Sequence, residues 1–231
     1  MVITTLQLQN LTLLIAAIIN IVMSIFVLSR GLKNKVNLYF GLLTFFNFLW
    51  ALGLFLSRIL VDDFTAQLLY RTAYFAAIWI AVFLFYFTLN FPYKIKDLNK
   101  YYRYFIWFFS ILISILIYTK FHIISFERSA NLANWFMNYY KPFYIIYSIF
   151  FFVLVLFAIY FLVDKLDKIE GFLKDKIKIL LFTIIMGLIF GSYFNLILCY
   201  FQNWDYIWFG PIFTAFMNIY VFRLISLSKE R

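Results

Sequence analysis

LQLQNLTLLIAAIINIVMSIFVL, residues 6–28, followed at once by SRGLKNK, residues 29–35, decides how the chain is read. The first run carries no charge, and it exceeds the roughly 20 apolar residues a helix needs to cross the hydrocarbon of a bilayer. A secretory signal places basic residues ahead of a shorter apolar core. Here Arg30, Lys33 and Lys35 stand behind the run instead. Basic residues collect on the cytoplasmic side of spanning helices, so the first helix is expected to end in the cytoplasm and the N-terminus to lie outside.

Working outward from it, six further apolar runs of similar kind follow, at about 38–56, 72–91, 105–119, 143–163, 179–200 and 207–224. They are continuously apolar rather than alternating, which predicts helices and not barrel strands. The expected fold is therefore an all-α membrane protein, one seven-transmembrane-helix domain over residues 1–231 with a cytoplasmic C-terminus. Composition agrees: 66% of residues are apolar and only 13% charged. A soluble domain of this size has too much surface to hide such an excess.

The formal charge of +10 comes from 20 Lys and Arg against 10 Asp and Glu. In a soluble protein it would suggest nucleic acid. With no module of that kind in the sequence, nucleic acid is excluded as a partner and the bilayer takes its place. The loops sort the cations. Arg30, Lys33, Lys35, Lys94, Lys96, Lys100, Arg103, Lys165, Lys168, Lys174, Lys176, Lys178, Arg223, Lys229 and Arg231 fall on one side, and Arg58, Arg71, Lys120, Arg128 and Lys141 on the other. Fifteen against five fixes the expected orientation.

The longest outer segment, 120–141, holds Phe126, Trp135, Phe136, Tyr139 and Tyr140. Aromatics of this kind belong at the headgroup level, so a short interfacial helix or cap over the bundle is expected there. Pro142 opens the fifth helix and Pro92 closes the third, both where a missing N–H costs little. Residues 32–38 and 173–179 are similar and both open a helix of the same direction, as a parallel repeat would, although so biased a composition produces such likeness by chance. In lipid, small residues let helices approach. Gly187 and Gly191 on the sixth helix, Ala73, Ala77 and Ala81 on the third, and Ala16, Asn20 and Ser24 on the first are read as packing stripes.

Most chemistry lacks its residues. His122 is the only histidine and Cys199 the only cysteine, so no metal set can be assembled and no disulfide closed. No Asp, Glu or Lys sits midway along a predicted span, which argues against ion pumps, proton-coupled carriers and a retinal Schiff base. No phosphate loop appears. No enzyme and no cofactor is expected. Within the spans the polar residues are neutral, among them Asn20, Asn47, Thr88, Asn90, Thr183, Asn195, Thr214 and Asn218. Trp50, Tyr193 and Asn195 are read as lining a cavity towards the outer leaflet. Arg71 opens the third apolar run near Asp62 and Asp63; it either pairs with that acidic loop or anchors an anionic ligand.

Several segments in order resemble the N-terminal seven-transmembrane sensor region of bacterial histidine kinases. They are Phe26-Val-Leu-Ser-Arg30, Lys35-Val-Asn-Leu-Tyr-Phe40, Asn47-Phe-Leu-Trp-Ala-Leu-Gly53, Arg71-Thr-Ala-Tyr74, Asn90-Phe-Pro92, Gly171 with its basic stretch, Asn195-Leu-Ile-Leu198, Phe209-Gly-Pro211 and Tyr220-Val-Phe-Arg-Leu224. The resemblance covers nearly the whole chain. It implies a sensor or receptor-like input module in the bacterial cytoplasmic membrane that passes its signal through the seventh helix to a kinase or cyclase. The sequence ends at Arg231 without a phospho-acceptor helix or an ATP-binding domain. It is therefore expected to be either a stand-alone sensor with a separate cytoplasmic partner or a fragment. Trp50, Arg71, Tyr74, Tyr193 and Asn195 are the candidate ligand-binding residues for an unknown small ligand. A small-solute or lipid transporter and a structural membrane subunit are the competing readings.

Overall fold

The computed structural model describes residues 5–59, 62–94, 97–128 and 135–227. Seven long helices cross back and forth: α1 Thr5–Ser29, α2 Lys35–Ile59, α3 Asp63–Asn90, α4 Lys100–Ile117, α5 Lys141–Leu166, α6 Phe172–Ser192 and α7 Phe209–Leu227. The α6 helix runs on through a π-helical segment, Tyr193–Ile197, and a last turn, Leu198–Tyr200. Six of these spans are long and apolar enough to cross a bilayer, and the seventh is a shorter apolar helix.

Two of the helices, α3 and α4, begin where a side chain caps them. The Asp62 carboxylate accepts the Thr65 N–H at 2.8 Å, so α3 starts nine residues ahead of the apolar run that announced it. Asn99 does the same for α4, accepting from Tyr101 N–H at 3.1 Å. Pro142 occupies the first turn of α5, where its fixed φ suits the helix. Apolar runs mark the part of a helix that sits in lipid, whereas caps mark where the backbone turns.

For the segment 120–141, read as a short interfacial helix or cap, the described residues give strands in place of a helix: β1 Ile123–Arg128 and β2 Trp135–Tyr139 pair antiparallel with an irregularity between Ile123 and Ser125, and 129–134 lie outside the described residues. Their side chains alternate. Ile123 and Met137 are buried at 1% and 2% exposure, while Ile124 is 56% exposed and Asn138 also faces outward. A period of two selects a strand even when the composition is aromatic and interfacial.

The α3 helix is the axis of the bundle. In its most apolar 18-residue window 83% of residues are buried, against 22% for the sixth span. Trp79 of α3 donates to Ser114 Oγ of α4 at 3.1 Å and stacks on Phe46 and Phe83. Two glycines of α2 permit close approach. A Cβ on Gly53 would lie 2.8 Å from the Leu69 carbonyl oxygen of α3 and 3.4 Å from Ala73 Cβ, and one on Gly41 would overlap Leu28 of α1. Along α1, Ser24 donates to the Gly41 carbonyl at 2.9 Å, and Asn20 Oδ1 accepts from Asn218 Nδ2 of α7 at 2.7 Å.

Lys165 was counted among the basic loops, but it lies inside α5 and is 1% exposed. Its ammonium donates to the carbonyls of Thr88, Leu89 and Phe91 at 2.6, 3.1 and 2.6 Å. It thereby satisfies the C-terminal carbonyls of α3 that no further turn can reach. The remaining described cations at this end are surface groups. Lys168 pairs with Asp164 at 2.8 Å and Lys178 with Asp175 at 3.5 Å, exposed pairs that contribute little.

Candidate functional site

Between α2, α3, α5, α6 and α7 lies a cavity of about 60 Å³. Trp50 and Leu54 form one wall, Ala73, Tyr74, Ala77 and Ile80 a second, and Tyr147 and Phe151 a third. Gly187, Gly191, Ser192, Asn195 and Leu196 close it, with Ile207 and Thr214. No charged side chain is among them.

Three of the five candidate ligand residues, Trp50, Tyr74 and Asn195, are thus brought together on one cavity. Two are not. Tyr193 is 46% exposed on the surface of α6 and does not line it. Arg71 is 8% exposed inside α3, and its guanidinium donates to the carbonyls of Ile117, Thr119 and Ile123 at 2.8, 2.5 and 3.1 Å. The expected pairing of Arg71 with the acidic loop is corrected. Early capping of α3 by Asp62 places Arg71 more than two turns into the helix, level with the end of α4. There it meets orphan carbonyls rather than carboxylates.

The glycines of α6 behave differently from those of α2. A Cβ on Gly191 would meet nothing within 4 Å, and one on Gly187 would meet only Met217 Sδ at 3.8 Å. Of this pair, read as a packing stripe, Gly191 borders open space while Gly187 lies in ordinary contact range of Met217 of α7; both line the cavity. Ala73 packs towards Gly53 and also borders the cavity, as Ala77 does, while Ala81 is fully buried away from it. An unfilled 60 Å³ in a close-packed interior costs about 1–2 kcal/mol.

The π-helical segment supplies the polar part. Leu198 N–H reaches back to the Tyr193 carbonyl, the wider turn that often marks a functional position. Tyr144 donates its hydroxyl to the Leu196 carbonyl at 2.9 Å, and the Tyr74 hydroxyl lies 3.5 Å from the Asn195 carbonyl. Asn195 itself is 7% exposed. Its Nδ2 donates to the Gly191 carbonyl at 3.2 Å, and its Oδ1 is buried with no partner among the described residues. Such an atom costs about 1–3 kcal/mol unless something donates to it. Asn195 also abuts α7, because a Cβ on Gly210 would run into Asn195 Nδ2 and lie 2.9 Å from Trp50 Cη2.

Above the cavity, the hairpin closes over an aromatic cluster that sequence reasoning missed. Tyr74 and Tyr139 share a hydroxyl–hydroxyl bond of 2.8 Å, and Tyr147 donates to the Tyr74 carbonyl at 3.1 Å. His122, noted in the sequence only as a loop residue, is fully buried with its ring 4.6 Å from that of Tyr74. Burial, reinforced by the Arg71 charge, pushes its imidazole down to about 3. It is neutral, and neither nitrogen has a partner among the described residues. The signal for this cluster was the density of aromatics around Tyr139 and Tyr147, of which the sequence reading assigned Tyr139 to the headgroup level and not to a contact with Tyr74 and His122.

A family model for the N-terminal 7TM region of histidine kinase matches residues 12–227. The chain belongs to that family. It is a multi-pass membrane protein and a membrane sensor module, of a family that is an input region rather than a catalytic domain. No curated protein matches it.

Proposed function

We propose that this bundle is the input half of a signalling pair in the bacterial cytoplasmic membrane, with its N-terminus outside and its C-terminus in the cytoplasm. The cavity next to the π-helical segment receives the stimulus, Trp50, Tyr74 and Asn195 contact it, and α7 carries the response to a cytoplasmic kinase or cyclase. One observation supports this most: the buried, half-satisfied carboxamide of Asn195 sits directly against Gly210, in the first turn of α7. Whatever displaces Asn195 must displace the start of the helix that leads to the basic end. The fifteen-to-five distribution of Lys and Arg supports the orientation, with Lys165 serving inside α5 instead of in a loop.

The test is capture of the tagged protein from native membranes in mild detergent, with mass spectrometry of what co-purifies. A histidine kinase, a cyclase or a response regulator is the expected companion. Recovery of the bundle alone, together with substrate-dependent flux in liposomes, would make it a transporter instead.

A further inference from the structure

The wall of the cavity restricts what can occupy it. None of its side chains is charged, so an ion entering would lose its hydration with nothing in return. Arg71 is held by three carbonyls and does not line it. The hydroxyls and the carboxamide of the wall spend their hydrogens inside the protein. Tyr147 donates to the Tyr74 carbonyl at 3.1 Å and Thr214 to the Pro211 carbonyl at 3.0 Å. Ser192 donates to the Leu188 carbonyl, Tyr74 shares its hydroxyl bond with Tyr139, and Asn195 gives its Nδ2 to the Gly191 carbonyl. Asn195 Oδ1 is enclosed and out of reach of any occupant. What the wall presents otherwise is carbon, from Leu54, Ala77, Ile80, Phe151, Leu196 and Ile207. Gly187 and Gly191 on α6, with Ala73 and Ala77 on α3, contribute nothing longer than a methyl group. A side chain on Gly191 would project into unoccupied space, and Ala77, midway along the axial helix, stays partly exposed. The space, about 60 Å³, suits on the order of four to six water-sized groups. That is far below the roughly 300 Å³ at which drug-sized sites begin.

We infer that the cavity is a binding site for a small apolar molecule with neither charge nor hydrogen-bonding group: a short hydrocarbon of about four or five heavy atoms. The inference rests on the sensor reading for its biological sense, but it stands or falls on binding alone. An apolar occupant gains the dispersion contacts that an unfilled space denies to its lining, and it brings no polar group that needs a partner. A molecule of the same size bearing a hydroxyl gives up its hydrogen bonds to water for a wall of carbon.

The experiment uses the full chain in lipid nanodiscs with fluorotryptophan incorporated and the Trp50 signal assigned by Trp50→Phe. The probes are n-butane, 1-propanol and methoxyethane, which share their count of heavy atoms. The alcohol donates a hydrogen bond, and the ether only accepts one, which tests the Trp50 indole N–H. The expected result is a saturable shift of the Trp50 signal with n-butane, about tenfold weaker with either oxygen-bearing probe. Gly191→Leu should abolish the saturable shift. If that variant does not fold, Gly191→Ala, which adds one methyl to open space, should still weaken it. The titration is repeated in a fluorinated surfactant without hydrocarbon chains, where the same saturable shift is expected. Binding in the surfactant but not in nanodiscs would mean that the end of a lipid chain fills the cavity in the membrane, and would overturn the proposal. So would an unsaturable shift, an affinity for either oxygen-bearing probe that equals or exceeds that for n-butane, or indifference to both Gly191 variants. Failure of binding while a kinase still co-purifies would remove the ligand class and leave the sensor reading intact. Saturable binding with no signalling companion would do the reverse.

Discussion

Gly53 and Gly191 are the same residue put to opposite uses. On α2, Gly53 lets the α3 backbone come within a distance that no side chain could survive. On α6, Gly191 faces space that nothing fills. The first belongs to a tightly packed α1–α3 half built around a buried α3. The second belongs to an α6–α7 half that borders a cavity, carries a π-helical segment and keeps a buried acceptor without a donor. One half is built for rigidity and the other retains a defect.

The contrast breaks first at Gly53. Gly53→Val should drive a side chain into the Leu69 carbonyl and cost about 3 kcal/mol, read as loss of unfolding free energy in detergent. If Gly53→Val is tolerated, the α2–α3 interface is not the rigid half. Lys165→Met comes next. It strips three α3 carbonyls of their donor and should cost about 2 kcal/mol, whereas Lys168→Met, removing an exposed pair, should change stability by under about 0.5 kcal/mol.

The hairpin cluster gives a pH-dependent measure of how the hairpin covers α3 and α5. His122 is neutral when folded, with its pKa lowered to about 3 from an ordinary 6.5, and it faces Arg71, Tyr74, Tyr139, Phe143 and Tyr147. Below pH 6.5 the unfolded chain takes up a proton that the folded one refuses. Stability should therefore fall with falling pH between about 6.5 and about 3, by up to about 1.4 kcal/mol per pH unit. His122→Phe should flatten that slope. Asp62, whose carboxyl is held low by hydrogen bonds from Thr65, adds a separate loss only below its ordinary value of 3.8. The smallest effect is at the cavity. Gly191→Ala should stabilise by about 0.5–1 kcal/mol, because a helical glycine is replaced and nothing obstructs the methyl.

The sequence made the seven spans legible because lipid demands a property, continuous apolarity, that can be read residue by residue. It carried the period-two alternation of the hairpin as well, in Ile123, Ile124, Met137 and Asn138, but under an aromatic composition that points equally to a membrane-surface helix. What it could not carry was partnership. Lys165 reads as a loop cation until α3 is seen to end beside it, and Arg71 reads as the partner of Asp62 until Asp62 is seen to cap α3 instead. Likewise a pair of glycines four apart specifies small size and nothing more. Whether the neighbour comes close or stays away is decided by the helix opposite, here α3 for Gly53 and nothing for Gly191. Trp50, Tyr74 and Asn195 were identified from the sequence and share one cavity. Gly210, which joins that cavity to α7, was passed over inside Phe209-Gly-Pro211.

The most direct test of cavity-to-α7 coupling is a distance measurement in nanodiscs. Spin labels would replace exposed Arg223 on α7 and exposed Arg103 on α4, in a Cys199→Ala background. The Arg223–Arg103 distance would be compared between the otherwise unaltered chain and Gly210→Ala, whose new Cβ must push Asn195 and Trp50 apart. A displaced or split distance distribution at the basic end is the expected result. An unchanged distribution, with Gly210→Ala folded and monodisperse, would contradict the coupling.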